Sequence, residues 1–162
     1  MKKLIIIRHS KSSWKDLSLS DFHRPLNNRG KNDAALMAEY LRKKYSEIDY
    51  LHSSSSVRTY ETSKFFKNKI QFDKIKYDDS LYHSSARSIL YMINNYSESF
   101  TSALIIAHNP GLTNLINDIS KMYLDNLPTT GVVDLDFNCT KWSHISSSNI
   151  NYCESIFPKQ LK

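Results

Sequence analysis

Two short, unbroken apolar runs stand out along the chain, Leu4–Ile7 and "ALIIA" at Ala103–Ala107. Runs this short with no polar alternation fit strands covered on both faces, as in a parallel sheet between helical layers. A weaker strand is predicted at Ile48–His52. Gly131–Phe137, "GVVDLDF", alternates instead and puts Val133, Leu135 and Phe137 on one face. That suits a strand nearer the sheet edge. Trp142–Ile145 is predicted as one more short strand. Between these runs the period becomes helical. Asn27 or Asn28 can cap a helix reaching about Lys44, with Ala34, Met37, Leu41 and Tyr45 on one stripe. Val57–Lys67, Ser84–Tyr96 and Leu112–Met122 are the other predicted helices.

Strands and helices therefore alternate, which defines an α/β class. No repeat or linker interrupts the pattern, so residues 1–162 are read as one domain. The segment from Ser10 to Leu26 follows neither period. A connection this long in a compact domain usually carries function.

Composition narrows the picture. Net charge is +6, yet the lysines are scattered and no nucleic-acid motif is present, so no nucleic-acid partner is expected. The positive excess also suits a phosphate-bearing substrate. No apolar run approaches the ~20 residues of a membrane helix. The opening "MKKLIII" breaks off at Arg8, short of a signal-peptide core, so a cytoplasmic protein is expected. Cys139 and Cys153 have neither CxxC nor metal-ligand spacing and read as packing residues.

In open parallel sheets, ligands sit beyond the carboxyl ends of the strands. Arg8-His9 follows the first strand, His108-Asn109 follows "ALIIA", and "SSSSVRTYET" follows the third strand into a helix. One edge of the sheet thus receives His9, His108, Arg8 and Arg58. Arginine offers a planar fork of donors that matches phosphate oxygens. Backbone N–H groups at the helix start after Ser53–Ser56 would add to the anion site. A neutral imidazole there is a competent nucleophile for phosphorus.

At these residues the sequence resembles the histidine phosphatase superfamily, which includes the cofactor-dependent phosphoglycerate mutases. The ordered motifs are "RHS" at 8–10, "RPLNNRG" at 24–30, "SSSSVRTYET" at 53–62, "AHNPG" at 107–111 and "LPTTG" at 127–131. "RHSKSSW", "DFHRPLNNRG" and "AHNPGL" resemble more narrowly the bacterial phosphohistidine phosphatases. The resemblance implies a three-layer α/β/α sandwich with a mainly parallel sheet. It implies His9 as nucleophile, Arg8 and Arg58 as phosphate ligands, and His108 as the group completing the pocket. Asn109 and Ser10 are further candidates for substrate binding. No metal or other cofactor is implied. Ala107 stands where relatives often carry Gly, and His23 where they usually carry an acid.

The substrate is the open question. Many superfamily members place an acid near the pocket to protonate the leaving group. Asp79 and His83 in "DDSLYHS" are the candidates here, with Tyr82 beside them and Asp21 a weaker one. An alkoxide leaving group needs that proton, whereas an imidazole needs far less help. The absence of a clear acid favours a phosphohistidine or another activated phosphoramidate. The short chain leaves little length for a lid, so an open pocket is expected, able to admit a histidine on another protein. Lys11, Ser12, Ser13 and Trp14 would touch such a partner, although Trp14 serves equally well as a cover for the core. A phosphatase for small phosphate esters is the alternative. An inactive phosphate-binding module would be signalled by loss of a pocket His or Arg, and all four are present.

Overall fold

The computed structural model describes all of residues 1–162. In chain order the main elements are β1 (Lys2–Arg8), α1 (Asn28–Lys44), β2 (Glu47–Ser54), α2 (Val57–Lys67) and β3 (Gln71–Asp78). They continue with α3 (Ala86–Asn94), β4 (Ser102–Ala107), α4 (Gly111–Ile119), β5 (Val132–Phe137) and β6 (Ile150–Ile156). All six strands join one sheet in the order β3-β2-β4-β1-β5-β6. The first four strands of that order run parallel, β5 runs antiparallel to β1, and β6 in turn runs antiparallel to β5.

The unbroken apolar runs explain the layering. Side chains alternate across a strand. Leu4 and Ile6 of β1 therefore enter one core, with Ile89, Ile93 and Leu115 of α3 and α4. Ile5 and Ile7 enter the other, with Met37, Leu41 and Phe66 of α1 and α2. β4 divides in the same way, with Ile105 on the first side and Ile106 on the second. The result is an α/β/α sandwich with its two central strands dry on both faces.

Two strands of this sheet, β3 and β6, are absent from the sequence reading. Both lie at edges and face solvent along much of their length, so neither carries a continuous apolar run. The strand expected at Trp142–Ile145 is a short 3-10 turn at Trp142–His144 instead. Trp142 is fully buried there, and its indole N–H donates to the Phe100 carbonyl at 3.0 Å. α3 and α4 are shorter than their periodic patterns suggest.

Close backbone approaches hold the connecting loops against the helices. The Ser10–Leu26 loop is pinched at its base, where Ser13 N–H donates to the Pro25 carbonyl at 2.7 Å and Asn27 N–H to the Lys11 carbonyl at 3.0 Å. A Cβ on Gly30 would stand 2.1 Å from that Lys11 oxygen, and one on Gly111 would stand 2.1 Å from the Ser84 oxygen. Only glycine allows α1 and α4 to pass these loops so closely.

Candidate active site

Register brings the two histidines together. Arg8 is paired with Ala107 across β1 and β4, so His9 and His108 leave adjacent strands at the same level. Their ring centroids lie 5.2 Å apart. β2 ends beside them, and Ser54 Oγ lies 2.8 Å from Nε2 of His108. The first turn of α2 then supplies Arg58, whose Nε is 3.4 Å from Nε2 of His9 and whose Nη2 is 3.4 Å from Nδ1 of His108.

These contacts assign the ring protons. Nδ1 of His9 lies 2.8 Å from the Ser10 carbonyl, which can only accept. Nδ1 therefore carries the proton, and the Nε2 lone pair faces the pocket. The same logic gives His108 a free Nδ1 toward Arg58 and a protonated Nε2 that donates to Ser54.

The pocket, about 240 Å³, is lined by Arg8, Lys11, Arg24 and Arg58 around the two imidazoles, and no carboxylate lines it. The buried Nε of Arg8 has no partner within the protein, and its Nη1 donates to the Leu127 carbonyl at 2.9 Å. A buried donor of this kind suits an anion. Burial pushes the His9 imidazole well below its ordinary pKa, and the His108, Arg58 and Arg8 charges add to that against the pull of the Ser10 carbonyl. Burial, then Arg58 and His83, lower His108 to about 3. Both rings are neutral at pH 7.

This depression has a consequence for stability. Below pH ~6.5 the unfolded chain binds protons that folded His9 and His108 refuse, so stability is present above that pH and lost as pH falls. We expect the Tm to fall steadily from pH 7 to pH 4, and to fall less steeply in His108→Asn. Equal slopes for the two proteins would refute the assignment.

The remaining sequence candidates separate. His83 lines the pocket, with its backbone at φ 56°, in the left-handed region. Asp79 does not line the pocket and is bound by the Ser55 hydroxyl. Ser10, expected to touch substrate, is fully buried below the pocket, where its Oγ accepts from Thr130 at 2.7 Å and its N–H donates to Thr62. Asn109 reaches the pocket wall, but its amide is occupied by Asn126, Leu127 and Thr113. Ser53–Ser56 do not line the pocket, so the anion site is built from side chains rather than from the α2 N-terminus. Trp14 is 64% exposed and lies over the Arg24 guanidinium at 3.3 Å, so it borders the pocket instead of covering the core.

Asp21 is the residue whose place sequence reasoning largely missed. It sits in a 3-10 turn at Asp21–His23, in the middle of the aperiodic loop. Its Oδ2 accepts from Arg58 at 2.9 Å and from the Tyr82 hydroxyl at 2.5 Å, and its Oδ1 accepts from Arg24 at 3.1 Å. Burial would raise this carboxyl, but the Tyr82 and Arg58 hydrogen bonds and the Arg58 charge outweigh it and hold Asp21 well below the usual carboxylate range. Both of its oxygens are taken up by these donors, and Asp21 does not line the pocket. The sequence signalled it through the loop's length and the "DFHRPLNNRG" motif, but neither told of its place beside Arg58.

Two histidines and Arg8 at adjoining strand ends, with Arg58 of α2 beside them, make a cationic pocket on an α/β fold that suits an anion such as phosphate. Residues 4–85 match the family model described as "Histidine phosphatase superfamily (branch 1)", and the chain belongs to that superfamily. An uncharacterized chloroplastic protein of Arabidopsis thaliana is 32% identical over 120 residues, which cover 68% of this chain and 55% of that protein. The chain thus spans about half the length of that relative. An uncharacterized protein of Mycobacterium leprae is 25% identical over 86% of this chain and 91% of its own. Among solved structures, a provisionally assigned phosphohistidine phosphatase, SixA, of Agrobacterium tumefaciens superposes with a TM-score of 0.74 at 26% identity, covering 84% of this chain and 92% of that one. The protein histidine phosphatase SixA complexed with tungstate gives a TM-score of 0.81 at 20% identity over 99% of both chains, a likeness of fold. No helix here is long and apolar enough to cross a membrane.

Proposed function

We propose that this chain is a phosphatase that transfers a phosphoryl group to Nε2 of His9 and then to water, and that its substrate is a phosphohistidine carried by a protein. The observation that carries this reading is the Nε2 lone pair, aimed by the Nδ1–Ser10 hydrogen bond into a pocket of four cations and no carboxylate. Arg8 and Arg58 hold the phosphoryl oxygens. Nε2 of His9 forms a bond to phosphorus as the bond to the leaving nitrogen breaks, and the leaving imidazole keeps a proton. Charge on the transferring oxygens is met by the Arg58 fork, with His108 completing the pocket beside it. Water then attacks the phosphorus, phosphate leaves, and His9 is regenerated.

The substrate class follows from what the pocket mouth lacks. Asp79 and Asp21 both lie outside the pocket lining, so no carboxylic acid stands at the mouth to serve an alkoxide. The exposed Trp14 beside the pocket suits a macromolecular substrate, and the Agrobacterium relative's description supports the same reading. One observation favours phosphate esters instead. His83 lines the pocket with Nε2 3.5 Å from Asp21, and an imidazolium there would serve as leaving-group acid.

The two readings separate in one assay. Turnover of a histidine-phosphorylated protein and of p-nitrophenyl phosphate is compared in the wild type and His83→Ala. Faster turnover of the phosphohistidine, little changed in the variant, is expected. Faster ester turnover that collapses in His83→Ala would replace the protein substrate by a small ester.

A further inference from the structure

The Asp21 carboxylate gathers donors from three separate parts of the pocket: Arg24 from its own loop, Arg58 from α2, and Tyr82 from the loop between β3 and α3. The Asp21 backbone carbonyl adds a second hold, accepting from Nη1 of Arg58 at 2.6 Å. Both terminal nitrogens of Arg58 are thereby occupied on the side away from the histidines. The edge formed by Nε and Nη2 is left facing His9 and His108, each at 3.4 Å. The guanidinium is rigid and planar, so fixing one edge fixes the other. Phe22 reinforces the joint by packing edge-on against Tyr82 with ring centroids 5.0 Å apart.

We infer that Asp21 is a positioning residue, which aims the Arg58 fork at the transferring phosphoryl group and, through Tyr82, locks the rim of the pocket in place. The inference rests on the phosphoryl-transfer reading above. Asp21 lies outside the pocket lining and meets the reaction through Arg58. It also tempers the pocket, because its charge opposes the cations that attract phosphate. The two effects point in opposite directions when the charge is removed. Loss of aim slows the chemical step, since small misplacements of a charge-stabilising group cost rate steeply. Loss of the opposing charge leaves ground-state anion binding as strong or stronger. A residue that merely held the fold together would weaken both.

The test compares wild type, Asp21→Asn and Asp21→Glu. Turnover is read on phosphoramidate and on p-nitrophenyl phosphate, and inorganic phosphate binding is read by calorimetry. For Asp21→Asn, kcat is expected to fall ~100-fold on whichever substrate the wild type hydrolyses, a cost of the size produced by misplacement. The Kd for phosphate is expected to stay equal or tighten. Asp21→Glu keeps the charge but shifts the oxygens by one methylene, so kcat should fall ~10-fold with phosphate binding unchanged. Unchanged kcat in both variants overturns the inference. So does a phosphate Kd that weakens in step with kcat. If Asp21→Asn does not fold, Asp21→Glu decides alone. Wild type that cleaves only the ester would overturn the phosphohistidine substrate and leave this comparison intact.

Discussion

His9→Ala is expected to lose at least ~10⁴-fold in turnover on every phosphorylated substrate, as removal of a covalent nucleophile does. No other side chain in the pocket offers an unprotonated nitrogen in the same position. His108 meets the neighbouring Nη2 of Arg58 through Nδ1 at 3.4 Å, and its other nitrogen is taken up by Ser54. The variant should still bind inorganic phosphate, because Arg8, Lys11, Arg24 and Arg58 remain. Rapid quench of the wild type with a radiolabelled substrate should trap a label that is stable in alkali and released in acid, as an N-phosphohistidine is. Fragment mass spectrometry should place the label on His9, and the variant should take up none. Full activity in His9→Ala, or a label on another residue, would remove the covalent mechanism.

Arg58→Ala has the second largest expected effect, a drop of ~10³-fold in kcat/KM. The fork stands between both imidazoles and supplies the donors that meet charge developing on the phosphoryl oxygens. Arg58→Lys should recover little, since an ammonium is a point charge without the planar fork. A second reading comes from His108, which burial and then Arg58 hold at about 3. With the guanidinium gone, burial remains and the Arg58 charge does not, so the His108 pKa should move upward. Titration of the ring resonances by NMR measures that directly. An unmoved His108, or a lysine variant as fast as wild type, would show that Arg58 does not sit where the phosphoryl group is held.

Much of this molecule was legible beforehand, and the reason is dryness. β1 and β4 are buried on both faces, so Leu4–Ile7 and Ala103–Ala107 had to be apolar throughout, and nothing but buried strands suits runs so short. α1 was bounded by the Asn27 cap, whose side chain accepts from Gly30 N–H at 2.8 Å. Parallel strands also told where the chemistry would gather, because Arg8-His9 and His108 follow the two driest strands directly. β3 and β6 stayed hidden for the opposite reason. An edge strand pairs on one side only and shows much of itself to water, so Lys74, Lys76, Asn151 and Glu154 are as acceptable there as apolar residues. Trp142 misled because a large apolar side chain fits a buried turn as well as a strand.

The site divides along the same line. His9, His108, Arg8 and Arg58 were readable because each stands within a few residues of an element whose pattern is strong. Sequence by itself showed the four inner strands, the edge of the sheet they point to, and these four residues as the ones gathered there. Only the tertiary structure decided that Ser10 faces inward, that Asn109 is a brace, that Asp79 lies outside the pocket lining, and that Asp21, Arg24, Arg58 and Tyr82 converge. Those last four come from two loops and a helix. Local pattern records what each segment must bury, whereas a hydrogen bond between polar side chains 37 or 61 residues apart depends on how the packed layers bring their loops together.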